Sequence, residues 1–137
     1  MNESIMSNFD ADLPSGLVPP NAKAKTAAGV CFLEGPAWHA SGDLYFSDIA
    51  GNRILKMSPA GAVSVFRADS GRTNGNTFDA EGRLISCEGA EFGPGGRRRL
   101  VRTDVTTGAV EVLTERFEGR RYNAPNDVCV DQQGRIW

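Results

Sequence analysis

The chain has 137 residues, 40% of them hydrophobic and 23% charged, with a formal net charge of -2. That length suits one domain and that composition an ordinary globular chain. The charge balance excludes a general nucleic-acid binder, which needs a basic face to displace counterions, and no apolar run approaches the roughly 20 residues of a membrane helix. The expected partner is therefore neither nucleic acid nor membrane, and the expected location is cytoplasmic.

The opening stretch, "MNESIMSNFDADLPSGLVPP", lacks the basic head and long apolar centre of a secretory signal. Residues 1–27 mix Asn, Ser, Pro, Gly and Ala without a sustained period and read as a flexible lead. The folded region is expected over 28–137. Cys31, Cys87 and Cys129 are odd in number and lie in apolar runs. They predict buried thiols in a reducing compartment rather than a disulfide frame.

From Val30 onward, short apolar runs alternate with Gly, Asp, Asn and Pro. "DLYFSDI", "RILKMS", "AVSVFR", "RLISCE", "RLVRTD", "AVEVL", "DVCVD" and "RIW" are the candidate strands. No convincing helical period interrupts them, so the predicted class is all-β.

Three segments align on their turn glycines: "EGPAWHASGDLYFSD", "NGNTFDAEGRLISCE" and "NDVCVDQQGRIW", with Gly42, Gly82 and Gly134. Four residues before each glycine stands an apolar residue (Trp38, Phe78, Val130), and two after it another (Leu44, Leu84, Ile136). A second hairpin, turning at Gly61 or Gly108, separates consecutive segments. The unit is thus four strands, repeating at glycine offsets of 40 and 52 residues, the longer one holding the Gly-rich "EFGPGGRRR". Four-stranded units at that period predict a β-propeller of about four to eight blades rather than a sandwich. The chain holds about two blades and the start of a third. It stops at Trp137 as a strand begins, which reads as a truncated chain.

Eight residues before each turn glycine stands a polar residue: Glu34, Asn74 and Asn126. Taken singly, each has a plainer use. Glu34 can cap a turn or pair with an arginine, Asn74-Gly75 is a turn signal, and Asn126-Asp127 after Pro125 suits an Asx turn. The shared register argues for more. It places all three where the innermost strand of a blade begins, converging on one mouth of the central channel. Asp48 and Glu88, six after their glycines, return to the same end. Asp48 suits a structural turn; Glu88 is divided between a mouth residue and a surface acid. Carboxylate and amide oxygens without His or Cys suit Ca²⁺ or Mg²⁺ rather than Zn²⁺ or copper.

These residues, "EGPAWHASGDLYFSDI", "NRI", "NGNTFDAEGRLISCE" and "FEGRRYNAPNDVCVDQQGRIW", together resemble the gluconolactonase family, which includes senescence marker protein (regucalcin). The resemblance covers roughly 30–137. It implies a six-bladed propeller with a divalent cation in its channel, usually Ca²⁺ but also Mg²⁺, Zn²⁺ or Mn²⁺. It also implies hydrolysis of a sugar lactone or a related small-molecule ester. By the same resemblance Glu34 and Asn126 are metal ligands, and Asn74, Glu88 and Asn126 contact substrate. The general base and the remaining ligands are implied in later blades, so the chain alone is expected to be inactive. One departure is visible: where the subgroup commonly has Cys-Glu-His-Gly, this chain has "CEGA", with Gly89 replacing the imidazole.

No Gly-x-Ser-x-Gly elbow supports a serine hydrolase. His39, the only histidine, is expected at the opposite end from Glu34, on the surface. "RRRLVR" reads as a solvated loop entering a strand. A non-catalytic propeller that binds a ligand or a protein is the alternative function.

Overall fold

The computed structural model describes residues 32–90 and 95–137. The lead over 1–27, Cys31 and the first part of the loop insertion (91–94) lie outside the described residues. Ten strands are formed, and no helix among the described residues. Leu33–Trp38 (β1), Leu44–Asp48 (β2), Arg53–Met57 (β3) and Val63–Ala68 (β4) make one antiparallel sheet in the order β1-β2-β3-β4. Asn76–Phe78 (β5), Leu84–Glu88 (β6), Arg99–Thr103 (β7) and Val110–Thr114 (β8) make a second in the same order. Arg116–Phe117 (β9) and Arg120–Arg121 (β10) form a small hairpin leading into a third repeat, which is closed by the Val130–Ile136 bridge.

The register confirms the repeat residue by residue. The apolar pairs flanking each turn glycine are cross-strand neighbours: Trp38 with Leu44, Phe78 with Leu84, and Val130 with Ile136. Each sheet is therefore a blade, and the third hairpin begins the next.

Burial follows strand position within a blade. The second strands are sealed on both faces, with β6 buried throughout, whereas the fourth strands expose Val63 and Val65 or Val110 and Val112. Strand periodicity then sorts the β6 side chains between two neighbours. Leu84, Ser86 and Glu88 face the first blade; Ile85 and Cys87 face the third hairpin. The first interface packs Ala37, Tyr45 and Ile54 against Leu84, with Phe66 and Phe78 at its margin. Tyr45 sits edge-on to Phe66 and Phe78 at centroid distances of 4.9 and 5.3 Å. Fully buried Ile54 and Leu84 each contribute about 2 kcal/mol of apolar transfer. The second interface joins Ile85 and Cys87 to Val128, with Leu100, Leu113 and Val130.

The two cysteines among the described residues do not share one environment. Cys87 is buried, but Cys129 is exposed, because it alternates with the inward-facing Val128 and Val130. Burial pushes the Cys87 thiol up to about 12, with Asp127 adding to the effect.

Candidate functional site

The turn end of each first hairpin is built from its own sequence. Residue 39, 79 or 131 donates its N–H to the oxygen of Asp43, Arg83 or Arg135 at 2.9–3.0 Å, and each turn glycine closes the loop. Asp79 Oδ1 accepts from the N–H groups of Glu81 and Arg83, and its Oδ2 accepts from Arg83 Nε at 2.8 Å. Asp131 repeats this with Gln133 and Arg135. In the first blade His39 takes the aspartate's place, its Nδ1 accepting from Ser41 N at 3.2 Å. The ring leans on Phe78 with centroids 4.8 Å apart. A Cβ on Gly82 would meet His39 Nε2 at 3.0 Å. His39 is thus a turn and packing residue at the end opposite Glu34.

The mouth end is built between blades. Glu34 lies half-buried on β1, and among the described residues its carboxylate has no hydrogen bond or ion pair. Immediately after it, β1 bulges at Gly35, whose φ is +51°. A Cβ there would overlap Asn74 O and stand 2.8 Å from Asn76 N. The same step recurs one blade on. Gly75, following Asn74, donates its N–H to Asn126 O at 2.7 Å, and a Cβ on it would overlap Asn126 and Asp127. The glycine beside each of the first two expected donors is what lets the next donor approach. Asn74 Nδ2 consequently donates to Asn126 Oδ1 at 2.6 Å, across 52 residues of sequence. The structure joins Asn74 and Asn126 directly, and reaches Glu34 through the Gly35 backbone.

Beneath this row lies a polar network. Asn76, 6% exposed, donates through Nδ2 to Ser47 Oγ at 2.8 Å, Gly35 O at 3.0 Å and Asn74 O at 3.1 Å. Its Oδ1 accepts from Ser86 Oγ at 2.8 Å, and Ser47 Oγ donates to Asn74 O at 2.8 Å. In the sequence Asn76 belongs to no motif, and Gly75 reads only as part of a turn signal rather than as room for the next blade. The available signal was the Glu-Gly and Asn-Gly repetition at 34–35 and 74–75.

Asp48 and Glu88 do return to this end, but both are engaged. Asp48, 2% exposed, accepts from Arg53 Nε at 2.8 Å and Gly51 N at 3.0 Å, a structural turn. Glu88, expected beside the substrate, is instead fully buried. Arg67 pairs with one of its oxygens and Arg99 with the other, the latter at 2.6 Å, while Arg97 lies 3.5 Å away. The arginine run is correspondingly less free than a solvated loop, since Arg97 and Arg99 hold Glu88 and Arg102 holds Glu111.

The oxygen-only row of one carboxylate and two amides fits a hard divalent cation, although Ca²⁺ takes six to eight oxygens. Among the described residues no three His, Cys, Asp or Glu side chains gather into a metal-binding group. No helix among them is long and apolar enough to cross a membrane.

Residues 32–137 match the SMP-30/gluconolactonase/LRE-like region. The chain belongs to this family. Among its relatives, the gluconolactonase of Zymomonas mobilis is 28% identical over 120 residues, covering 81% of this chain and 33% of that protein. A solved gluconolactonase from Xanthomonas campestris is 40% identical, with a TM-score of 0.69 over 77% of this chain and 33% of its own. A solved candidate gluconolactonase is 34% identical, with a TM-score of 0.76 over 87% of this chain and 40% of its own. The gluconolactonase-like chain thus spans about a third of the length of the curated relative it matches.

Proposed function

We propose that the complete protein hydrolyses a sugar lactone such as gluconolactone, with Ca²⁺ or another divalent cation at the channel mouth. Glu34 and Asn126 would hold the cation, and Asn74 and Asn126 would face the substrate. The observation that carries this reading is the inter-blade row itself. The Glu34 carboxylate, with no partner among the described residues, stands at the head of β1, and the two asparagines at equivalent register meet at 2.6 Å. A propeller serving only as a scaffold has no need of that row, and the family of the chain supports lactone chemistry.

When bound, the cation supplies polarisation of the lactone carbonyl and acidification of a water. The chain's own residues do the positioning. Glu34 brings negative charge without a competing arginine among the described residues. Asn74 holds Asn126 by its amide, so the two side chains act as one unit. Glu88 has its carboxylate committed to guanidiniums, and its part is to anchor the mouth-side ends of β4, β6 and β7. The base that accepts the water proton is assigned to other blades.

The test is ring opening of gluconolactone by the complete protein, with and without Ca²⁺, against Glu34→Gln. The expected result is a loss of about 100-fold or more in kcat/KM, at or above the upper end of what disturbing a metal ligand's supporting residues costs. Unchanged turnover in the variant would remove Glu34 from the site. A complete protein that opens no lactone with any divalent cation would favour a binding module instead. The 137 residues alone are expected to give background turnover.

A further inference from the structure

We infer that Asn76, with Ser47, is a positioning residue that sets the spacing between the Glu34 and Asn74 donor positions. This inference rests on the cation-site reading above. Asn76 stands six residues before its turn glycine, where the first repeat has Pro36 and the third has Val128. The fold therefore accepts a side chain without polar atoms at this register. Burying an amide here is unfavourable unless its donors and acceptor are all met, and they are met in a particular way. Its Nδ2 reaches Gly35 O in the first blade and Asn74 O in the second, at 3.0 and 3.1 Å, and Ser47 Oγ between them at 2.8 Å. Gly35 is the neighbour of Glu34, and Asn74 is itself a donor, so one amide ties together the backbone carrying both. Ser47, the β-sheet register partner of Glu34, adds a second tie to Asn74 O. Ser86 fixes the amide from the other side, holding Oδ1 so that Nδ2 is directed at the blade interface. An apolar side chain would fill the space but leave these two backbone segments free to slide against each other.

The experiment compares wild type, Asn76→Val and Ser47→Ala in the complete protein. Asn76→Val carries the residue the third repeat already uses at this register; Ser47→Ala is the milder change if the first does not fold. A core variant away from the network, Val101→Ala, controls for lost stability. Ca²⁺ affinity is measured by calorimetry, hydrogen exchange of the Asn74 and Gly75 amides is measured in the cation-free protein, and kcat and KM are measured for gluconolactone. The expected result is about 10- to 100-fold weaker Ca²⁺ binding for Asn76→Val, the range for residues that orient metal ligands. A smaller loss is expected for Ser47→Ala, with faster exchange at both amides in each variant, while Val101→Ala keeps its affinity at temperatures where it is folded. Variants that bind Ca²⁺ within twofold of a competent wild type and lose only thermal stability would overturn the inference and leave the lactonase reading standing. A wild type that neither binds Ca²⁺ nor opens lactone would sink that reading, and this one with it.

Discussion

The two ends of the first hairpins solve the same problem in different ways. At the turn end, each repeat satisfies its backbone from within a few residues. Asp79 and Asp131 each accept two local N–H groups and a local guanidinium. At the mouth end, each repeat satisfies its backbone from a neighbouring blade. Gly75 donates to Asn126, Asn76 to Gly35, and Ser47 to Asn74. Local solutions tolerate change because only one turn depends on them. Inter-blade solutions couple sites, so one substitution is felt by two blades.

The largest effect that follows from this contrast is at Gly35. Alanine there would hold a strained positive φ and overlap Asn74 O. We expect a loss of about 3 kcal/mol or more, or failure to fold, read from denaturant midpoints. Gly61, also at positive φ but with open space around it, should lose only the backbone component of about 1 kcal/mol on the same substitution. Equal losses at the two glycines would break the comparison.

Glu88→Ala comes next. Removing a fully buried carboxylate strands Arg67 and leaves Arg99 to solvent, and should cost about 3 kcal/mol by equilibrium unfolding. Both of these mouth-end substitutions should exceed Asp79→Ala, which removes only turn contacts and should cost about 1–2 kcal/mol. A turn-end loss matching that of Glu88→Ala would show that the local network is not local in its effects.

The smallest effect concerns the thiols. At pH 8, Cys129 should react with maleimide in the native chain while Cys87 does not, as mass spectrometry of the labelled peptides would show. The same burial gives a pH dependence. With the folded Cys87 value raised to about 12, stability is insensitive to this group below about pH 8.5, the ordinary thiol value. It declines as the pH climbs from there towards the folded value, because the unfolded chain loses its proton first. Labelling of Cys87 as fast as Cys129 would place it outside the interface with Val128.

Much of the fold was legible because it is written in short-range pattern. Trp38 with Leu44, Phe78 with Leu84, and Val130 with Ile136 were readable as pairs from their distance to a turn glycine, and they are the cross-strand neighbours. The repeat of those pairs determined the blades, and family membership agrees with them. The register of Glu34, Asn74 and Asn126 was equally legible as a series.

The sequence by itself did not determine what surrounds that series. Gly35 and Gly75 look like turn residues in isolation, and only the approach of the next blade shows that each makes room for a backbone. Glu88 looked available from its register, yet Arg67, 21 residues earlier and in another blade, covers it. Nothing local marks Asn76, because its partners, Gly35 and Ser47, lie 41 and 29 residues away. Strand alternation and turn chemistry act over a few residues and can be read along the chain. Which buried polar group meets which is decided only when two blades are brought face to face, since that is when the desolvated donors must find their acceptors.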